Sequence, residues 1–247
     1  MDRKIRVGAV SYLNTKPLIY GFERGMMKDN VDLIIDYPSN IAKALLNDTI
    51  DIGLVPVAVL PQMKEHYIVS DYCIGSDGDV ASVCLFSEVP LNEIKTILLD
   101  YQSRTSVALL KIIAKEFWKI DPEFKSTDAE FRSKIEGTIA AVVIGDRALE
   151  QRKKSAYIYD LGTAWKEYTG LPFVFAAWVS NKKLSGDFIA AFNKANAFGL
   201  KNIDEIVTMR QYTIFDLKQY YTQHIKFVMD ASMRKAIDLF LEKLSNL

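Results

Sequence analysis

Histidine is nearly missing from this chain. Only His66 and His224 occur in 247 residues, each beside bulky neighbours, so neither an imidazole acid–base pair nor a histidine-rich metal site is expected. Cysteine is as scarce: Cys73 and Cys84 form no CxxC pair and have no histidine nearby in sequence, and they read as reduced, mostly buried thiols. No GxSxG turn supports a Ser-His-Asp triad, the early glycines Gly8, Gly21 and Gly25 do not make a GxGxxG, and no Walker lysine motif occurs. Neither sign of charge is in excess, with 31 basic against 31 acidic residues. The basic surface that nucleic acid or an anionic membrane would call for is therefore not expected. No apolar run approaches the roughly 18 residues of a membrane-spanning helix. The first residues enter a strand almost at once, without the apolar core and small-residue cleavage site of a secretory leader, and the expectation is a cytoplasmic protein. No 20–50-residue repeat and no low-complexity linker is visible.

What is present is an ordinary globular composition with room for a sizeable core, since 49% of the residues are hydrophobic. Strand and helix signals alternate from the start: a strand at 5–10, a short helix at 17–24, a strand at 31–37, a helix opened by Pro38-Ser39-Asn40, and a short buried strand at 51–55 ending in Pro56. A βαβαβ unit of this length implies parallel strands. The middle is richer in strands (67–74, 80–86, 97–100, 138–144, 157–161 and 173–179), with an amphipathic helix at 103–118 and another opening at Gly145-Asp146. After Ser180 the pattern reads as helical to the end. This layout predicts two α/β lobes, one of residues 1–85 plus 180–247 and one inserted at 86–179, with a hinge at the two crossings and a cleft between. A single flavodoxin-like sheet is the alternative that the β-rich middle argues against.

The stretch 5–17 carries the most information. An apolar strand runs into a polar loop bearing Ser11, Asn14 and Thr15, and Pro17 follows where the first turn of a helix has no use for an amide hydrogen. Open α/β sheets make anion or small-ligand sites where a strand delivers polar groups to a helix N-terminus.

At Ser11-Tyr12-Leu13-Asn14-Thr15-Lys16-Pro17-Leu18 the chain resembles the chorismate dehydratase family of the futalosine route to menaquinone. Further agreement comes in order along the chain, at Asp51-Ile52-Gly53-Leu54-Val55-Pro56, at 80–87, at Leu99-Asp100 with Ser103-Arg104-Thr105-Ser106, at Ile144-Gly145-Asp146 and at 165–173. The resemblance implies a type II periplasmic-binding-protein-like fold, matching the two lobes read above. It also implies a cofactor-independent hydro-lyase that eliminates water from chorismate to give 3-[(1-carboxyvinyl)oxy]benzoate, with no metal and no redox group. The sister dihydroxynaphthoate synthase of the same pathway shares the fold, but its opening loop differs from the one here. A non-catalytic small-anion binding protein is the third reading, because fold alone does not decide function.

Site residues follow from the same resemblance. Asn14 would orient the departing hydroxyl or the ring substituents, and Ser82 would hydrogen-bond the leaving hydroxyl or a carboxylate. Ser11 and Thr15, then Ser103, Arg104 and Thr105 at a helix start, and Gly145 with Asp146 would hold the two carboxylates. Each has a plain structural rival: a loop satisfying its own turn for 11–15, a helix cap for Ser103-Arg104-Thr105-Ser106, a solvent-facing edge-strand serine for Ser82, and an N-cap for Asp146. Gly145 would allow close backbone approach. No side chain stands out as general base, and the substrate's own enolpyruvyl carboxylate is the expected one. Tyr12, Trp165, Tyr168 and Phe173 read either as core or as a cleft lining. Tyr220, Tyr221 and Phe227, in the segment 215–230, read either as a cleft shield or as support for a homodimer.

Overall fold

The computed structural model describes residues 3–247. In chain order the elements are β1 (Ile5–Val10), α1 (Lys16–Glu23), β2 (Val31–Asp36), α2 (Pro38–Leu46), β3 (Ile52–Pro56), β4 (Tyr67–Ser76), β5 (Val83–Ser87), β6 (Thr96–Leu99), α3 (Arg104–Ile113), β7 (Glu123–Ser126), β8 (Ile139–Ile144), α4 (Asp146–Gln151), β9 (Tyr157–Asp160), α5 (Leu161–Thr169), β10 (Phe173–Ser180), α6 (Gly186–Lys201), α7 (Ile203–Arg210), α8 (Leu217–Gln219), β11 (Lys226–Val228) and α9 (Ala231–Leu244). Among the described residues no helix is long and apolar enough to cross a membrane.

The chain forms two compact units. The first comprises the stretch up to Gly75 together with Val174–Asp230. Its sheet has six strands in the order β11-β4-β10-β3-β1-β2. Strands β2, β1 and β3 run parallel, and β10 lies antiparallel on β3, with Ala177 opposite Val55. Helix α1 packs on α6 at very short range because both contribute glycine: a Cβ on Gly21 would sit 2.3 Å from the Ala195 carbonyl oxygen, and one on Gly199 would sit 1.8 Å from that of Pro17. Phe22, Trp178 and Phe192 fill the adjacent core, with ring centroids 4.9 to 6.5 Å apart.

The second unit comprises Ser76–Phe173 and Ala231–Leu247. Its five strands lie in the order β7-β6-β8-β5-β9. Here β7, β6 and β8 are parallel, and β5 is antiparallel to both of its neighbours. Cys84, Phe86, Leu98, Phe131, Ala141, Val143 and Ala148 form a buried cluster on this sheet. Helix α3 runs on through a π turn, Ala114–Trp118. There Glu116 meets Lys243 of α9 at 2.6 Å and Tyr168 of α5 at 2.5 Å, which pins the C-terminal helix to this unit.

These boundaries differ from those expected. The chain passes between units at 75/76, 173/174 and 230/231 rather than near residues 86 and 180. Strand β5 belongs wholly to the second unit and is buried at all five positions because it lies between two neighbours. The polar run Gly75-Ser76-Asp77-Gly78-Asp79 reads as a turn between two strands of one lobe, and the first crossing falls at its start, where β4 ends at Ser76. The last helix also belongs to the second unit, since its apolar stripe (Met233, Ala236, Ile237 and Phe240) is buried there with Phe240 against Trp165 and Phe173. Three elements lie outside the expected pattern: strands β7 and β11, each short and carrying lysine, and helix α5, which follows directly on the end of β9.

Candidate functional site

In the first unit β1 delivers Ser11 to the carboxyl edge of the sheet, where its backbone N–H donates to the Asp36 carbonyl at the end of β2, 3.1 Å away. A single 3₁₀ turn, Leu13–Thr15, follows, and α1 begins at once. Ser11 is exposed, Asn14 half-buried and Thr15 fully buried, its Oγ1 3.5 Å from Asn14 Oδ1. Thr15 stands at the N-cap position of α1, yet its side chain makes no capping bond. Tyr221 Oη supports the turn from behind by donating to the Leu13 carbonyl at 3.0 Å. Tyr220, Tyr221 and Phe227 are 0%, 1% and 5% exposed, so they are core of this unit and not the surface of a dimer.

In the second unit the parallel strands β6 and β8 each end in a helix start. Ser103 caps α3, its Oγ accepting the Ser106 N–H at 3.1 Å, so its structural reading holds. Arg104 is exposed at the first helical position, and Thr105 is 1% exposed. At the end of β8, Gly145 takes φ 64° and ψ −146°, a conformation that excludes other residues without strain, and it is the N-cap of α4. Asp146 is therefore the first helical residue and not the cap, where its carboxylate still faces the favourable end of the helix dipole. Ser82 does not face solvent on an edge strand. It is fully buried, immediately before β5, and its carbonyl accepts the Gly145 N–H at 2.8 Å. Ser82 and Gly145 are thus brought together.

Two groups that sequence reasoning passed over hold this edge in place. The Asp100 carboxylate accepts the backbone N–H groups of Gln102 (3.0 Å) and Ile144 (3.1 Å), and Arg147 Nη2 donates to both of its oxygens at 2.8 and 2.7 Å. Arg147 also lies over the rings of Tyr101 and Phe131. One ion pair therefore ties the start of α3 to the start of α4. The signal was available, as a charged residue directly after a continuous apolar strand. The second group is Asp160 at the end of β9. Burial and the facing Asp79 carboxylate push it up to about 7, against the opposing pull of backbone N–H donors. Trp165 and Phe173 are core, 0% and 1% exposed, with the indole N–H donating to the Pro172 carbonyl at 3.0 Å. Among the described residues no group of three or more His, Cys, Asp or Glu side chains is gathered as a metal ion would need.

Two α/β units, one on a mixed six-stranded and one on a mixed five-stranded sheet, define the class: this is the fold of the periplasmic binding proteins. Solved structures agree over nearly the whole chain. A protein of Archaeoglobus fulgidus superposes with a TM-score of 0.76 at 15% identity, covering 98% of this chain and 97% of its own. A Candida albicans protein described as having the generic periplasmic binding protein fold gives 0.66 at 13%, covering 100% and 91%. The aliphatic sulphonate binding protein of Escherichia coli gives 0.62 at 15%, covering 98% and 93%. Within that class, the chain belongs to the menaquinone biosynthesis family, whose model matches residues 5–246. Two curated relatives are the chorismate dehydratases of Thermus thermophilus, 25% identical over 263 residues (96% of this chain, 94% of that one), and of Campylobacter jejuni, 25% identical over 244 residues (95% of each).

Proposed function

We propose that the protein is a chorismate dehydratase, removing water from chorismate to give 3-[(1-carboxyvinyl)oxy]benzoate on a futalosine-type route to menaquinone. The near full-length likeness to chorismate dehydratases carries this reading. The elimination is redox-neutral, and its electron pairs stay within the substrate and the departing water. The C3 proton departs, its C–H pair becomes the last ring double bond, and the C4–O bond breaks with its pair on oxygen. The proton and the departing hydroxide together make the water. Aromatisation supplies the driving force, so the residues are asked to orient and desolvate rather than to attack.

In this reading Asn14 and Thr15, with Ser11 beside them, hold the ring substituents and the departing hydroxyl. Arg104 and the first amides of α3, with Thr105, take one carboxylate at the positive end of the helix, a setting worth about 0.3–1 kcal/mol from the dipole at an exposed site. Ser82, Gly145 and Asp146 line the adjoining start of α4. The enolpyruvyl carboxylate, stripped of water, takes the C3 proton itself. Such a biosynthetic step belongs in the cytoplasm. The test is direct. Purified protein mixed with chorismate and no additive is followed by proton NMR, and aromatic proton signals of the enolpyruvyl benzoate are expected. Chorismate unchanged relative to buffer overturns the proposal. Asp146→Asn assigns the base: retained turnover leaves it with the substrate, and lost turnover with intact binding moves it to Asp146.

A further inference from the structure

The loop before Ser82 is held in an unusual way. Ala81 takes φ 61°, the left-handed region that a residue with a Cβ occupies only when its surroundings require it. A tight turn follows, with the Ser82 N–H on the Val80 carbonyl at 2.7 Å. Asp160 makes most of the side-chain hydrogen bonds that hold this shape. Its Oδ2 accepts the Ala81 N–H at 2.8 Å and the Val80 N–H at 3.2 Å, with the Cys84 thiol 3.4 Å away. Its Oδ1 accepts Val80 N–H at 3.1 Å and caps α5 through Gly162 (2.9 Å) and Thr163 (3.1 Å). A helix cap alone would need only Oδ1. The second oxygen is turned to the loop that ends in Ser82, and the Ser82 carbonyl in turn fixes Gly145.

We propose that Asp160 is a positioning residue for the dehydration: its ionised carboxylate sets the loop 79–82 and thereby places Ser82 and Gly145. The inference rests on the reading under Proposed function and names a part of the machinery that touches no substrate. A serine or threonine would cap α5 without a charge. The carboxylate is kept although it faces Asp79, whose Oδ1 accepts the same Ala81 N–H at 2.8 Å. The other groups around it are Cys84 of β5 and Arg152 following α4, whose Nη1 reaches the Ala81 carbonyl at 3.2 Å and Cys84 Sγ at 3.4 Å. Tyr159 and Glu167 line the same cavity of about 390 Å³. As the pH falls through about 7 the pair takes up a proton, which bridges Asp160 to Asp79 and weakens the charge-assisted bonds to the Val80 and Ala81 N–H groups.

Three variants, Asp160→Asn, Asp79→Asn and Ser82→Ala, are compared for kcat and KM on chorismate against pH, and for amide hydrogen exchange at 80–82 and at Gly145. Asp160→Asn is expected to lower kcat by about 10–100-fold with KM within about threefold, the size of a small misplacement of catalytic groups. Combined with Ser82→Ala it should do no more than Ser82→Ala alone. Asp79→Asn removes the facing charge and should move the acid limb of kcat to lower pH. Wild-type kcat in Asp160→Asn, losses that multiply in the double variant, or an acid limb unmoved by Asp79→Asn overturns the inference. Exchange reads the loop without any substrate. If chorismate is not turned over, the functional reading fails, and faster exchange at 80–82 and Gly145 in Asp160→Asn still upholds the role of Asp160 in setting the loop, whereas unchanged exchange overturns it. If Asp160→Asn does not fold, the pH shift and exchange of Asp79→Asn decide.

Discussion

Removing the Asp100 carboxylate should unfold the second unit at markedly lower denaturant, and the reason is what it leaves behind. The Asp100 side chain is 0% exposed and that of Arg147 18%, with the closest approach 2.7 Å. Asp100→Ala leaves the largely buried guanidinium without its counter-charge, the neutral Gln102 Oε1 at 2.8 Å remaining, and strips the Gln102 and Ile144 N–H groups of their acceptor. Breaking one side of such a pair costs about 3–5 kcal/mol. Arg147→Met should cost less, about 1–3 kcal/mol, because the remaining carboxylate keeps two backbone donors and the thioether stem still packs on Tyr101 and Phe131. The double variant carries neither stranded charge. Its loss should therefore fall short of the sum of the singles by about 1–3 kcal/mol, the range for contacting residues. Urea unfolding followed by far-ultraviolet circular dichroism reads all four proteins, with the slope checked for constancy. Losses that add within about 0.5 kcal/mol would refute the claim that this pair acts as one unit.

Further predictions concern packing, charge and the loop after β1. Gly199→Ala should destabilise by about 1–3 kcal/mol or more, because the new methyl meets the Pro17 carbonyl oxygen at 1.8 Å and overpacking outweighs the roughly 1 kcal/mol that alanine gains over glycine in a helix. Gly186→Ala, with nothing within 4 Å of its Cβ, should instead raise the thermal midpoint slightly, and equal shifts in the two would refute the packing argument. Glu116 is held below its usual range by Lys243, then Tyr168. A depressed acid contributes stability that is present above its unfolded pKa and lost as pH falls through the folded one. Lys243→Met should therefore flatten the acid side of the stability profile, and an unchanged profile counts against the cluster. Asn14→Ala should reduce kcat/KM for chorismate by about a hundredfold, with the thermal midpoint near wild type because Asn14 is only half-buried. Full activity in that variant would remove Asn14 from the mechanism.

How much was legible in the sequence depended on whether a signal was local. Strand β1 and helix α2 were read to their ends, since an apolar run bounded by a polar loop, and a proline at the first helical turn, are decided within a few residues. The polar loop 11–15 was found for the same reason. The division into units was misplaced because it is a property of strand partners: β4 and β5 look alike along the chain, and only pairing assigns them to different sheets. For Ser82 the sequence leaves a solvent-facing edge serine open beside the functional reading, because its burial comes from strands distant in sequence. Asp160 was invisible as a functional group because its donors lie about 80 residues away, at Val80 and Ala81.

Apart from Ser82, which leads into the antiparallel β5, the candidate residues lie where strands run parallel, and this has a physical cause. Parallel neighbours need a crossover, usually a helix, so each strand end at the carboxyl edge is followed by a helix start. In the second unit β6 and β8 are such neighbours, and α3 and α4 begin from one edge with the positive ends of their dipoles. In the first unit β1 and β2 deliver α1 and α2 in the same way. The antiparallel strands β10 and β5 contribute burial and continuity instead, and neither ends in a helix start of this kind. Hydroxyls, amides and one arginine placed at such edges suit a ligand that brings its own negative charge and its own driving force. A protein obliged to supply a nucleophile or a strong base would need a titratable group aimed from one of these edges. Asp146 is the acidic candidate that the second unit places at the first turn of a helix, which is why its amide variant separates a protein that only orients the substrate from one that takes the proton.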